Sequence, residues 1–241
     1  MRIAIMQPYL FPYVGYFQLI QAVDKFVLFD DVQYIKKGWI NRNFILVNGK
    51  ATMFTVPLQK ASQNKLINEI KIADEVNWKE KLLKTVECAY RKADHFDTVF
   101  PLLVDIISVR EENISKLIYF SLNKILKYLE IHKHLIPSST IYDNNALKAQ
   151  HRIINICLKE KALVYLNAIG GKELYDKETF EQHQLKLGFV RPVFRPYTQF
   201  SAEFLPGLSI IDVLMHNSPE QVVHFFKEYM LEDVHNVETF H

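Results

Sequence analysis

Along the first third of the chain, short apolar runs alternate with polar breaks. Arg2-Ile3-Ala4-Ile5-Met6 reads as a first strand, and Phe17-Gln18-Leu19-Ile20-Gln21-Ala22 as a helix. Lys25-Phe26-Val27-Leu28-Phe29 reads as a second strand that stops at Asp30-Asp31. Strand, polar loop, helix, strand is the start of a parallel α/β sheet, whose ligands bind beyond the carboxyl ends of the strands. Residues 44–58 read as a hairpin, because Phe44-Ile45-Leu46-Val47 and Met53-Phe54-Thr55-Val56 flank the strong turn signal Asn48-Gly49. Period-two alternation over residues 66–72 predicts one more strand.

The pattern then changes to a helical period. Residues 78–92 place Trp78, Leu82, Leu83, Val86 and Tyr90 at helical spacing. Residues 100–109 form a second apolar stretch, with Asp97 as its cap and Pro101 in its first turn. Residues 113–130 give the clearest helix, with Ile114, Leu117, Ile118, Leu122, Ile125 and Leu129 on one face. Residues 77–131 are therefore expected to form a helical block. The α/β pattern returns afterwards: helix over 145–160, strand over 163–167, helix over 173–182, an extended run over 185–193, and helices over 208–216 and 220–229. The tail after residue 231 is polar and expected to fray. The expectation is one α/β domain over residues 1–241, with a Rossmann-like, mostly parallel sheet, a β-hairpin extension and a helical block.

Composition adds limits. The 241 residues are 49% hydrophobic, and the 29 basic and 27 acidic residues nearly cancel. That balance gives no electrostatic footprint for generic nucleic-acid binding. Cys88 and Cys157 both fall in helical patterns and are expected as buried thiols in a reducing compartment. No leader pattern opens the chain, and no apolar run reaches the ~18 residues that span a bilayer. A cytoplasmic protein without a transmembrane segment is expected.

Candidate chemistry gathers at the strand ends. Gln7 ends the first strand and can offer an amide to a ligand; Gly15 permits close backbone approach at a helix start. The layout of this loop is similar to the HxGH nucleotidylyltransferases and pantothenate synthetases, where two histidines contact phosphates. Here the tetrad is Tyr13-Val14-Gly15-Tyr16, and phenols cannot supply an imidazolium near neutral pH. Asp30 and Asp31 are candidates for a general base, and only one of two successive strand residues reaches a given face. Lys36, Lys37, Trp39, Asn41, Arg42 and Asn43 form the densest cluster. The cations suit phosphate, the indole can stack on a ring, and the amides can read hydroxyls. Asn167 with Gly170 and Gly171 ends a later strand, where a plain turn explains the glycines as well as a ligand does. Ser138-Ser139 fits a phosphate contact or an ordinary turn, and Arg191 and Arg195 fit an anion site or surface ion pairs. Ser209 and Asp212 fit a helix cap and first turn. No histidine spacing suits a protein-held metal, and no nucleophile elbow, Walker loop or dinucleotide fingerprint occurs.

Taken together, the runs from Gln7 to Phe17, Ala22 to Val27, Asp30 to Tyr34 and Trp39 to Asn43 resemble the WbqC family. Tyr165-Leu166-Asn167 with Gly170-Gly171, and Leu208 to Asp212, extend the likeness. The resemblance implies a place in bacterial O-antigen or surface-polysaccharide biosynthesis. The expected activity is a transferase or ligase acting on a nucleotide-linked amino sugar, by acyl or aminoacyl transfer. The expected ligand is a nucleotide sugar or a nucleotide, the latter with magnesium, and the expected partners are other polysaccharide-biosynthesis enzymes. A non-catalytic accessory protein and an ATP-dependent adenylyl transferase are the alternatives.

Overall fold

A computed structural model describes residues 1–73 and 77–234. In chain order its elements are β1 (Arg2–Met6), α1 (Val14–Ala22), β2 (Lys25–Leu28), β3 (Arg42–Val47), β4 (Lys50–Thr55), β5 (Leu58–Gln59) and β6 (Lys71–Ile72). Then come α2 (Trp78–Tyr90), α3 (Phe96–Ser108), α4 (Ile114–Tyr128), β7 (His134–Ile136), α5 (Ala149–Lys159), β8 (Val164–Ala168) and α6 (Lys177–Gln182). The chain ends with β9 (Lys186–Pro192), α7 (Ile210–His216), α8 (Pro219–Lys227) and β10 (Tyr229–Glu232).

Six strands form the central sheet in the order β10-β9-β8-β1-β2-β7, parallel except for β10. The chain moves outward from β1 to β2 to β7, then returns to the other side of β1 with β8. The strand order thus reverses between β1 and β8, the crevice where open α/β sheets bind ligands. Alternate strand residues face opposite layers. Ala4, Phe26, Leu28, Leu135, Leu166 and Val190 join the larger core beneath α1 and the helical block. Ile3, Ile5, Val27, Ile136, Tyr165 and Phe189 pack with Ile153, Ile154, Cys157 and Phe180 of α5 and α6. The result is a three-layer α/β/α sandwich, which explains why these strands read as unbroken apolar runs.

The hairpin forms as its turn predicts: Val47 pairs with Lys50 across Asn48 and Gly49, at φ 50° and 75°. Other expectations are corrected. Residues 66–72 are a 3₁₀ turn at Ile67–Glu69 followed by the two-residue β6. Ile67 and Ile70 are both buried; three residues apart, they would face opposite sides of a strand, whereas one helical turn puts them on the same side. Helix α3 starts at Phe96, so Pro101 lies inside it rather than in its first turn. Helix α5 starts at Ala149 rather than 145, because Asn144 and Asn145 turn their side chains to Arg152. Only Lys177–Gln182 of the expected 173–182 helix forms; Asp176 caps it, accepting from Thr179 N at 2.9 Å. Cys88 is exposed, on the outer face of amphipathic α2, while Cys157 is buried and its thiol is pushed up to about 12. Glu232, the first residue of the expected tail, is not frayed but belongs to β10; residues 235–241 of that tail lie outside the described residues. Among the described residues, no helix is long and apolar enough to cross a membrane.

Candidate functional site

The loop leaving β1 is held in one shape by its neighbours. Phe11 has φ 43°, a left-handed conformation that costs a bulky residue on the order of 1–3 kcal/mol unless its surroundings enforce it. They do: the Phe11 carbonyl accepts from Asn43 Nδ2 at 2.7 Å and from Ser209 Oγ at 2.8 Å. On either side, Leu10 N donates to Ile40 O and Ile210 N to Pro12 O. The next residue, Tyr13, is the N-cap of α1, and its ring stacks on Phe194 with centroids 6.1 Å apart. A Cβ on Gly15 would lie 2.3 Å from Tyr13 Cε2 and 2.9 Å from Pro192 Cβ. Glycine at this position therefore lets the Tyr13 ring fold over the start of α1.

This geometry opens a cleft of about 330 Å³, lined by Tyr9, Pro12, Tyr13, Trp39, Asn43 and Phe194. Trp39 forms a rim, edge-on to Phe44, with the Arg42 guanidinium 6.0 Å from its ring. Burial raises the Tyr9 phenol, and neighbouring Tyr13 raises it further; burial alone raises Tyr13. Both stay protonated near neutral pH and can donate hydrogen bonds. The cleft thus offers flat apolar walls and phenolic donors, a setting for a ring with polar edges.

The segment from Lys36 to Asn43 divides its labour. Asn41 accepts from Tyr34 Oη at 3.1 Å and donates to Val56 O at 2.7 Å. Asn43 is spent on Phe11 and on Phe44 N. Arg42 donates to the carbonyls of Gly38 (2.9 Å from Nε) and Lys37, bracing a loop in which Lys37 itself has φ 63°. These three side chains build the loop, while Lys36, Lys37 and Trp39 project from it.

The acidic pair lies at the same height in the sheet, since Met6 and Leu28 are register partners. Both carboxylates are buried. Asp30 accepts from Ser138 Oγ at 2.7 Å, Ser115 Oγ at 2.8 Å and Ser139 N at 3.2 Å. Burial raises its pKa; the three donors oppose that rise, and the charge of Asp31 adds to it. Asp31 instead forms an ion pair with Arg152 and accepts from Ser139 Oγ. Arg152 also donates to Asp31 O and Asn144 Oδ1, and lies 4.8 Å over the Phe29 ring. One carboxylate therefore faces a cation and the other only hydroxyl and amide donors.

At the other side of β1, Asn167 donates to Tyr175 Oη at 2.8 Å and accepts from Ala168 N. A Cβ on Gly171 would meet Asn167 Nδ2 at 3.0 Å, whereas one on Gly170 would meet nothing within 4 Å. Tyr16 is buried and donates to Gln7 O at 2.9 Å. Tyr13, Trp39 and Asn43 thus meet at the cleft, Asp30 and Asp31 sit in the polar network, and Asn167, Gly170 and Gly171 surround a 3₁₀ turn. Arg191 and Arg195 pair with Glu232 and Glu228. Sequence reasoning missed Ser115 on α4, Arg152 on α5 and Asn144 in the loop before α5, which lie far along the chain and carry no local motif. It missed Gln18 too, whose buried amide donates to Val193 O, Phe225 O and Glu228 O. Ser209 caps α7 as expected, and Asp212 gathers Tyr90, Tyr197 and Gln199 around a buried carboxylate.

Comparison with known proteins gives three findings. A model of the WbqC-like protein family matches residues 7–224. A protein of Mycobacterium tuberculosis (strain ATCC 25618 / H37Rv), named only as an uncharacterized protein, is 32% identical over 222 residues. That alignment covers 91% of this chain and 95% of the relative. No solved structure matches significantly.

Proposed function

The chain belongs to the WbqC-like protein family, and from that premise we propose that it is a transferase or ligase of surface-polysaccharide biosynthesis in the cytoplasm, acting on a nucleotide-linked amino sugar. The observation that carries this reading is the aromatic cleft of about 330 Å³ above the carboxyl end of β1. A base or sugar ring would lie between Trp39 and the Tyr13–Phe194 stack, with Tyr9 and Tyr13 donating to its edge. Phosphates would face Lys37. Gln7, Asn167, Gly170 and Gly171 would border the acceptor at the strand reversal. Tyr16, Gly15, Asn41, Arg42 and Asn43 would act through the shape of the loops.

Asp30 is the general base of this proposal. Its raised pKa and lack of a cation among the described residues suit proton uptake. A proton leaving the attacking amine or hydroxyl would reach it through the Ser138 hydroxyl. Asp31, paired with Arg152, would hold the site's shape. The reading is tested by titrating the protein with nucleotide sugars and following Trp39 emission, with Trp39→Ala as the control for Trp78. Saturable quenching that Trp39→Ala abolishes supports the cleft; affinity unchanged in Trp39→Ala and Tyr13→Ala removes it.

A second reading is favoured by the saturation of both carboxylates: a non-catalytic protein that binds a polysaccharide precursor for another enzyme. It predicts that Asp30→Asn leaves both ligand affinity and biological function intact.

A further inference from the structure

Charge is not spread evenly over this chain. Residues 32–68 contain six of its 29 basic residues, Lys36, Lys37, Arg42, Lys50, Lys60 and Lys65, and none of its 27 acidic ones. This excursion between β2 and β6 carries a formal charge of +6 in a chain whose net charge is +2, so the remainder is net acidic. None of the six forms an ion pair among the described residues.

The same excursion exposes large apolar side chains. Ile35 is 50% exposed, and Trp39 and Met53 are each 44% exposed. Side-chain contacts join Trp39, Arg42 and Met53, and the turn that carries Ile35 adjoins them. Gly38 N donates to Ile35 O, the Arg42 guanidinium lies 6.0 Å from the Trp39 ring, and Arg42 Nη1 reaches Met53 Sδ at 3.9 Å. Lys65 O accepts from Tyr34 N beside Ile35, and Lys36 is exposed next to Ile35 on the same turn.

Exposed aliphatic and thioether groups that enter an acyl boundary, ringed by cations that meet phosphates, are the chemistry of interfacial membrane binding. A soluble polyanion would satisfy the lysines but would leave Ile35 and Met53 in water. We propose that this face docks on an anionic lipid surface, seating the neighbouring cleft at the headgroup layer.

The test is co-sedimentation of the full chain with vesicles of phosphatidylcholine alone, or of phosphatidylcholine with phosphatidylglycerol. Variants are taken away from the cleft: Lys36→Ala for charge, and Ile35→Ser with Met53→Ser for the apolar part. Far-UV circular dichroism and the melting temperature check that each is folded, and Lys36→Ala alone keeps the test usable if the double variant unfolds. The expected result is binding only to the anionic vesicles, reversed by salt, and weakened about fivefold by loss of one cation. The apolar pair should weaken it at least as much. Lack of binding to anionic vesicles at low salt overturns the proposal, as does equal binding by wild type and both variants.

Discussion

The aromatic cleft and the carboxylate network stand above the same sheet edge, yet they are built on opposite principles. The network is closed: Asp30 and Asp31 are buried and meet three serines, one arginine and backbone donors. The cleft is open, and Tyr9, Tyr13, Trp39 and Phe194 meet there with their polar atoms uncommitted to one another. The network holds β2, β7, α4 and α5 together, because its members come from all four neighbourhoods. The cleft depends on fewer contacts, chiefly the hydrogen bonds that pin Phe11 and the glycine that admits Tyr13. Stability and ligand binding should therefore separate between the two regions.

The sharpest break should come from Arg152→Ala. It strands Asp31 as a buried, uncompensated charge, so chemical denaturation should show a loss of about 3–5 kcal/mol. A loss below about 1 kcal/mol would mean that water reaches Asp31 and the network is not closed. Gly15→Ala should follow, at about 1–3 kcal/mol, because the new methyl displaces the Tyr13 ring or Pro192. It should also lower nucleotide-sugar affinity, which separates it from a purely structural defect. Asn43→Ala leaves the strained Phe11 carbonyl with one donor fewer and should cost about 1–3 kcal/mol in the same measurement.

Asp30→Asn should change stability little near neutral pH, since an amide replaces a carboxylate that burial already disfavours. The pH dependence has a definite sign. Asp30 is raised in the folded state, so its contribution is full below the ordinary carboxylate value and is lost as pH rises through the raised one. The melting temperature of Asp30→Asn relative to wild type should therefore improve as pH rises from about 3 to about 7. A difference that is flat with pH would remove the raised pKa and, with it, the case for Asp30 as the base. Trp39→Ala should be the mildest for stability, within about 0.5 kcal/mol, while abolishing ligand-dependent quenching.

The sheet's early strands, the hairpin and α4 were legible because each announces itself within a few residues: a bounded apolar run, an Asn-Gly turn, a one-faced helical stripe. The 66–72 segment was not, because Leu66, Ile70 and Ile72 fit alternation while Ile67 and Ile70 stand one helical turn apart, and only burial of both chooses the turn. β10 was not, because Tyr229-Met230-Leu231-Glu232 is bound by its antiparallel pairing to β9, a partner outside its own sequence window. At the site, Tyr13, Trp39 and Asn43 could be singled out by residue type at a strand end. Their separation into wall, rim and brace could not, since Asn43 and Arg42 are committed to carbonyls that only folding brings near.

The sequence by itself determined an α/β sheet with its chemistry gathered after β1 and β2, because periodicity and turn residues act locally. Which strands neighbour β1, which carboxylate meets Arg152 and which aromatics enclose a cavity were decided only by tertiary structure. Those contacts join residues outside any local window, in the extreme more than a hundred positions apart, as Asp31 and Arg152 are. Their energies depend on burial and approach, which no local pattern encodes.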